Sequence, residues 1–340
     1  MKRIMRAIWR ILDQTLYKKR AERGLANMLE ITKHNGPMIS IETTTICNAR
    51  CTFCAYPKIP RSKDIMSMEL FEKICAELRE GYLGFSPFMS DPLTDPLLFD
   101  RLKLQDKYPR IKLHLFTNGI RLVKLSDLEI ITLLSRLEYI NISIGGPTRL
   151  DYKTMFGVDK FDDVILGLVR LARIRKKINS RCGLMLHVRT NKKSEINDKW
   201  VNGFRKLGYQ CDDVLDTFAN WGGVIKPEHI PAGAKLIETD NSDKRNPCVF
   251  ALIEQSILPD GRVSGCACMD GEGSVITGDI TKNTMREVWE SKEAIAFRDS
   301  FSRGQVTKLC STCSYYTDAH EFFRQSKYAD FKLSQNAWHA

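Results

Sequence analysis

The sequence predicts an α/β protein with a parallel sheet, open or curled into a barrel, followed by a smaller cysteine-rich unit. Three observations carry this expectation. Short apolar segments alternate with amphipathic helical ones from about residue 37 to 225, the alternation stops after about 235, and each part holds its own cysteine cluster. With 340 residues and 43% hydrophobic content, the chain can bury a large core and support an appendage. The expected divisions are 1–36, 37–235 and 236–340.

Residues 1 to about 30 read as a helix with the apolar stripe Ile4, Met5, Ile8, Trp9, Leu12 and Leu16, while Lys2, Arg3, Arg6 and Arg10 surround it. Two uses fit: the stripe packs on the following domain, or the basic helix lies on an anionic membrane. "MISIE" (38–42) opens the strand series, followed by a three-cysteine loop and a helix near 67–80, where Ser67 and Glu69 start the amphipathic run. Further strands are expected at 83–89, 111–116, 139–144, 183–190 and 213–220, with helices at 126–136 and 160–177. Strands joined by helices of this length imply right-handed βαβ units, whose sites lie at the carboxyl ends of the strands. After 235, residues 247–273 read as a hairpin turning at Pro259-Asp260-Gly261, followed by a helix near 283–301, "LCSTCSYY" (309–316) and a polar tail.

Polar residues in such strands are informative. Ser40 and Glu42 fall on one face by the two-residue period, as do Asn141 and Ser143, His187 and Arg189, and Asp216 and Asn220. A polar lumen follows. Each residue also has an ordinary reading as a satisfied hydrogen-bonding group.

A net charge of +11 suits nucleic acid, a membrane surface or an anionic substrate, and chooses none of them. The basic residues are dispersed, the densest runs being 17–23 and 173–177 on helices, which weighs against a nucleic-acid-binding protein. Eleven cysteines without a signal peptide point to metal or redox chemistry in a reducing compartment, so the expected location is cytoplasmic. No stretch is long and apolar enough to span a bilayer.

"CNARCTFC" places Cys47, Cys51 and Cys54 in one short loop just past the first strand. Structural zinc sites close with four ligands and catalytic ones are usually His-rich, yet no histidine lies nearby. Three thiolates with an open fourth position fit a [4Fe–4S] cluster that leaves one iron for an outside ligand.

This motif resembles the signature of the radical S-adenosylmethionine (SAM) superfamily, with Phe53 as the aromatic residue before the third cysteine. "LFTNG" (115–119), which holds Asn118, and "NISIGG" (141–146) resemble the family's third and fourth strand endings. The resemblance implies a partial (β/α)6 barrel and a SAM contact at Ser143. Where many members carry Gly-Gly-Glu-Pro, this chain reads Ser90-Asp91-Pro92. Asp91 is then the candidate partner of SAM's amino group, or a residue that only opens the Asp-Pro turn. Arg189 is a further candidate for SAM or for an anionic substrate group.

The second set is Cys248, Cys266, Cys268, Cys310 and Cys313. Close cysteines followed by C-x2-C also describe a zinc ribbon. The arrangement is similar to the twitch domain, a reduced relative of the SPASM domain. That resemblance implies Cys248, Cys266, Cys310 and Cys313 as ligands of one auxiliary [4Fe–4S] cluster. Cys268 replaces Cys266 as ligand, donates a hydrogen atom to substrate, or is inert; Cys75, Cys182 and Cys211 are inert packing residues by default.

The resemblance implies cleavage of SAM to a 5′-deoxyadenosyl radical, hydrogen abstraction from substrate and an electron accepted by the auxiliary cluster, with flavodoxin or ferredoxin as reductant. Oxidation of an alcohol on a sugar-like or cyclitol-like, perhaps lipid-linked, substrate is the favoured outcome. Epimerisation and peptide modification are the alternatives. About 35 residues before the first strand are too few for a leader-binding domain, which disfavours a leader-guided peptide. Glu42, His187, Arg189 and Asn220 are candidates to hold hydroxyl or anionic groups, and His187 or Glu42 to accept a proton.

Overall fold

The computed structural model describes residues 18–19, 21–34, 36–85, 88–239 and 244–324. The apolar and basic stripes expected at 2–16 lie outside the described residues, as do the final residues of the polar tail.

Helix α1 covers 21–34 and precedes β1 (Met38–Ile41). Then come α2 (Met68–Leu78), β2 (Gly81–Phe85), α3 (Leu98–Lys103), β3 (Ile111–Thr117), α4 (Asp127–Arg136) and β4 (Leu137–Ile144). Two helices, α5 (Arg149–Phe156) and α6 (Phe161–Lys177), lead to β5 (Gly183–Arg189), and α7 (Asp198–Lys206) leads to β6 (Gln210–Leu215). The helix starts follow local chemistry. Ser67 caps α2 by accepting from Leu70 N, and Ser126 with Glu129 forms a reciprocal capping box on α4.

Strands β1 to β6 are parallel and neighbours in chain order. Their outer faces, including Ile39, Ile41, Leu83, Phe85, Leu113, Leu115, Ile140, Ile142, Leu184 and Leu186, pack on the apolar stripes of the helices in one continuous core. Their inner faces are polar. Burial alternates residue by residue along β3 and β5, so these strands are not apolar on both faces. β1 and β6 do not pair, which leaves the six βα units as a partial (β/α)6 barrel. The sheet curls: Glu254 lies in electrostatic reach of Tyr139 on β4, whereas a flat sheet would hold their strands four spacings, about 19 Å, apart.

One expected strand breaks in two. Residues 213–220 form the end of β6, then a turn at Asp216, then β7 (Thr217–Phe218), which pairs with β8 (Lys235–Leu236). The two-residue period therefore does not continue to Asn220.

The cysteine-rich unit holds α8 (Val249–Ile253), β9 (Glu254–Ile257), β10 (Arg262–Ser264), β11 (Ile276–Asp279), α9 (Met285–Trp289), α10 (Lys292–Ser300), α11 (Lys308–Thr312) and α12 (Ala319–Arg324). The hairpin turns at 258–261 as its sequence indicates, with Gly261 at a positive φ of 88°. The helix expected near 283–301 is two helices. The sheet does not divide at 236: β9 lies parallel on the free edge of β1, in the register Met38↔Glu254 to Ile41↔Ile257, and gives a nine-stranded sheet.

A buried ion pair fixes the frame behind the first cysteine loop. Arg101 of α3 and Asp95 are both fully buried, with Nε donating to Asp95 Oδ2 at 2.8 Å. Its other nitrogens donate to the carbonyls of Met66 and Ser67 at the start of α2, and the guanidinium lies 5.3 Å from the Phe71 ring centroid. Removing one partner strands a buried charge, a loss of about 3–5 kcal/mol. Asp95→Ala is expected to lower the denaturant midpoint accordingly, measured by circular dichroism on the anaerobic protein, while the double replacement Asp95→Leu with Arg101→Met recovers most of the loss.

Candidate active site

The chain leaves β1 through Glu42, whose N–H donates to Ile257 O at 2.9 Å, and enters the first cysteine loop at the carboxyl end of the strand. The loop is laid on the end of α5: Arg50 N and Thr52 N donate to Phe156 O and Met155 O, both at 2.9 Å. Gly157 permits this, because a Cβ there would stand 2.2 Å from Arg50 O and its φ is +67°. Phe53 stacks on Phe218 at 4.7 Å between centroids and meets Phe156 edge-on, and Trp221 Nε1 donates to Phe53 O at 2.9 Å. From the opposite side, Asn118 Nδ2 donates to Asn48 Oδ1 at 2.7 Å and stands 3.7 Å from Cys47 Sγ.

Cys47, Cys51 and Cys54 are free and partly buried. Burial pushes the Cys47 thiol up to about 12 and Cys54 up to about 11, and raises Cys51 well above its ordinary value; the Asp91 charge adds to the shift at Cys47, and the neighbouring sulfurs add to that at Cys51. Such thiols ionise only against a cationic centre. Among the described residues no three His, Cys, Asp or Glu side chains converge as a single-ion site, whereas a four-iron cluster takes its thiolates one per iron. The donor set fits a [4Fe–4S] cluster.

Asp91 opens the turn at Pro92, one of its two expected uses: its Oδ1 accepts from Leu93 N at 2.9 Å. Its Oδ2 accepts from Asn118 N at 2.7 Å, and the single Thr117 hydroxyl lies 3.0 and 2.9 Å from the two oxygens. Three donors thus meet a carboxylate that accepts about four. Asp91 is a latch between the loop after β2 and the end of β3. Beside it, the buried Ser90 hydroxyl has no partner among the described residues.

Glu42 is also engaged. Its fully buried carboxylate faces Arg61 across two contacts, Nη1 to Oε1 at 2.9 Å and Nη2 to Oε2 at 2.7 Å. Burial raises its pKa and Arg61 opposes the shift. The pair anchors the far arm of the cysteine loop over β1. Asn220 is likewise consumed: its N–H and Oδ1 bond Ser314 at 2.9 and 3.0 Å, and its Nδ2 bonds Thr312 O at 2.7 Å.

His187 and Arg189 share the inner face of β5, as the period indicated. Nε2 of His187 lies 3.0 Å from Asn141 Oδ1, and Nδ1 lies 3.2 Å from Asp213 Oδ2. Burial and the Arg189 charge hold the imidazole below its ordinary pKa, against the pull of Asp213. Ser143 sits directly across the register from His187. Arg189 has no hydrogen-bond or ion-pair partner among the described residues, and it lies in electrostatic reach of Cys51, Asp213 and Tyr315. Glu254, which the sequence did not single out, donates nothing and accepts from Ser40 Oγ; burial pushes its carboxyl up to about 7.

The second set of cysteines converges. Cys248, Cys266, Cys268, Cys310 and Cys313 all line one cavity, with Phe250, Phe297, Phe301 and Tyr315 among its walls. Burial pushes Cys248 up to about 12 and Cys310 up to about 11, and raises Cys313. Cys266 is the exception. A hydrogen bond from Cys268, with further help from the backbone N–H groups of Cys268 and Met269, holds it below its ordinary value, while the same bond raises Cys268 well above. An apolar-walled cavity with five thiols fits a buried cluster, with Cys266 the readier thiolate of the close pair.

Comparison with known proteins follows the same division. The model described as "Radical SAM superfamily" matches residues 41–198, and that of the SPASM "Iron-sulfur cluster-binding domain" matches 248–314. No curated protein matches the chain in sequence. Among solved structures, the chain resembles BtrN in complex with AdoMet and 2-DOIA, at 18% identity over 82% of this chain and 92% of that one, with a TM-score of 0.51. It also resembles anSMEcpe with bound AdoMet, at 17% identity over 88% and 94%, TM-score 0.54. SuiB of Streptococcus suis bound to precursor peptide SuiA matches at 12% identity over 89% and 74%, TM-score 0.56. At these identities the likeness is one of fold. No described helix is long and apolar enough to cross a membrane.

The two charges beside His187 act in opposite directions, so their removal separates them. Asp213→Ala is expected to lower the His187 pKa further and Arg189→Met to raise it, each read by NMR titration of histidine-labelled protein. A shift of the same sign in both variants would contradict the arrangement.

Proposed function

We propose that this chain, which carries a radical SAM domain followed by a SPASM iron–sulfur domain, is an oxidoreductase that dehydrogenates an alcohol on a small polyhydroxylated, sugar-like or cyclitol-like substrate. When bound, a SAM-ligated [4Fe–4S] cluster at Cys47, Cys51 and Cys54 supplies the 5′-deoxyadenosyl radical that removes a carbon-bound hydrogen, and a second cluster takes up one electron.

The observation that carries the redox assignment is the convergence of Cys248, Cys266, Cys310 and Cys313 on one apolar-walled cavity, in a unit whose first strand continues the core sheet. Four protein thiolates complete a cluster and leave no iron open to substrate, which suits electron transfer. Cys268 remains beside Cys266 as its hydrogen-bond donor. For the substrate, Asn141, Ser143, His187 and Arg189 offer hydroxyl-binding groups on adjoining strands, and the unpaired Arg189 suits an anionic substituent or the SAM carboxylate. The unpartnered Ser90 hydroxyl and Asn118 are the chain's offers to SAM on the other side of the loop.

In this reading the neutral His187 accepts the hydroxyl proton, and Asp213 takes a hydrogen bond from the resulting imidazolium. The proton leaves the substrate oxygen as the carbonyl forms. Modification of a peptide is the second reading, supported by the fold shared with SuiB bound to precursor peptide SuiA and with anSMEcpe bound to the Cp18Cys peptide. A flavodoxin- or ferredoxin-type protein is the proposed reductant.

Anaerobic reconstitution is expected to give about eight irons per chain, with SAM perturbing the spectrum of one cluster only. Cys310→Ser halves the iron and keeps the SAM response. With a carbon-deuterated sugar or cyclitol substrate, wild type moves deuterium into 5′-deoxyadenosine, and His187→Ala retains that transfer while carbonyl product falls about 10²–10⁴-fold. Zinc in place of iron would sink the assignment, and deuterium transfer from a peptide but no polyol would replace it with the second reading.

A further inference from the structure

Lys244 is 5% exposed, although lysine is rarely buried without a paired charge. Its ammonium donates to three carbonyls: Cys310 O at 2.7 Å, Cys313 O at 2.9 Å and Ser311 O at 3.2 Å. It also stands 5.3 Å from the ring centroid of Tyr316, which lines the cysteine cavity. No carboxylate pairs with it among the described residues. Among the described residues its positive charge is solvated by neutral carbonyls, directly behind two of the four cysteines assigned to the auxiliary cluster.

The three carbonyls belong to the C-x2-C turn at the end of α11, where a helix leaves its last carbonyls without intrahelical donors. A short helix of this kind needs an outside donor there, and a cation is favoured over a neutral one by the sign of the terminal dipole. Gathering three carbonyls from one turn fixes the backbone from which Cys310 and Cys313 project.

We infer that Lys244 is a positioning residue of the auxiliary site that sets that cluster's reduction potential, holding it higher than the four thiolates alone would. The inference rests on the reading of the second cysteine set as a cluster site. A [4Fe–4S] centre with four thiolates is an anion in both of its working redox states, and accepting an electron adds one more negative charge. A fixed cation nearby stabilises the reduced form more than the oxidised one, the more so in a cavity walled by Phe297, Phe301 and Phe250, where screening by water is weak. The direction matches what an electron acceptor from substrate requires.

Three variants separate charge from scaffolding. Lys244→Arg keeps the cation, Lys244→Gln keeps a donor without the charge, and Lys244→Met removes both. Each is reconstituted anaerobically, its iron counted, and the potential of the auxiliary cluster read by EPR-monitored redox titration. The expected result is full iron with the auxiliary potential shifted to more negative values in Lys244→Gln and Lys244→Met, a near-wild-type potential in Lys244→Arg, and no shift in the SAM-binding cluster. An unshifted potential in Lys244→Gln overturns the inference. Loss of the auxiliary iron in both neutral variants also overturns it, since Lys244 would then only hold the turn. Wild-type protein with only half the expected iron and a single potential is a different outcome, the failure of the cluster reading itself.

Discussion

The pairing of β9 with β1 is the contact on which the arrangement of the two sites depends. β1 delivers the first cysteine loop from its carboxyl end, and β9 starts six residues after Cys248 and leads through the hairpin to Cys266. Main-chain bonds between the two strands fix their register over four residue pairs, and Glu42 N extends the ladder to Ile257 O. A slip of one residue would turn Ser40 and Glu42 to the outer face and Ile39 and Ile41 into the lumen. The apolar outer face therefore enforces the register, and the register places one cysteine set relative to the other.

Within the lumen, the balance of charge is uneven by design of the sequence. Glu42 has Arg61, Asp95 has Arg101 and His187 has Asp213, so most buried ionisable groups face a partner. Among the described residues Arg189 and Lys244 do not, and each lies beside one of the two places where thiol sulfurs gather. Asp91 has no cation in contact among the described residues and is held instead by three donors, Leu93 N, Asn118 N and the Thr117 hydroxyl. Positions with uncompensated charge are the costly ones for folding, and here they coincide with the positions expected to meet ionic groups.

Much of this was legible in the sequence. The parallel series, the hairpin turn and the lumen face of β4 and β5 followed from period and turn residues, while the grouping of the cysteines into two sets rested on the family resemblance. What failed did so for local reasons. Asn220 was placed by extending a two-residue period past Asp216, where the chain turns and the strand ends. The partners of Asp91 and Glu42 could not be read, because a sequence does not show which donors fold back onto a carboxylate; Thr117, Asn118 and Arg61 are 26, 27 and 19 residues away from the groups they meet. Glu254 was passed over because the polar start of β9, Glu254-Gln255-Ser256, follows α8 without a turn residue and shows no strand period. Lys244 sits in a polar stretch where no period applies, and only the fold reveals it as buried.

Two consecutive residues, Asn220 and Trp221, carry bonds to the two cysteine loops. Asn220 is tied to Thr312 and Ser314 around the last C-x2-C turn, and Trp221 Nε1 reaches the carbonyl of Phe53, next to Cys54. One peptide unit thus spans the interval between the two cysteine loops like a rivet. Electron tunnelling falls off steeply with distance, so on the proposed reading a rivet of this kind acts as a gauge, tying the spacing of the two cysteine loops to one short stretch of chain.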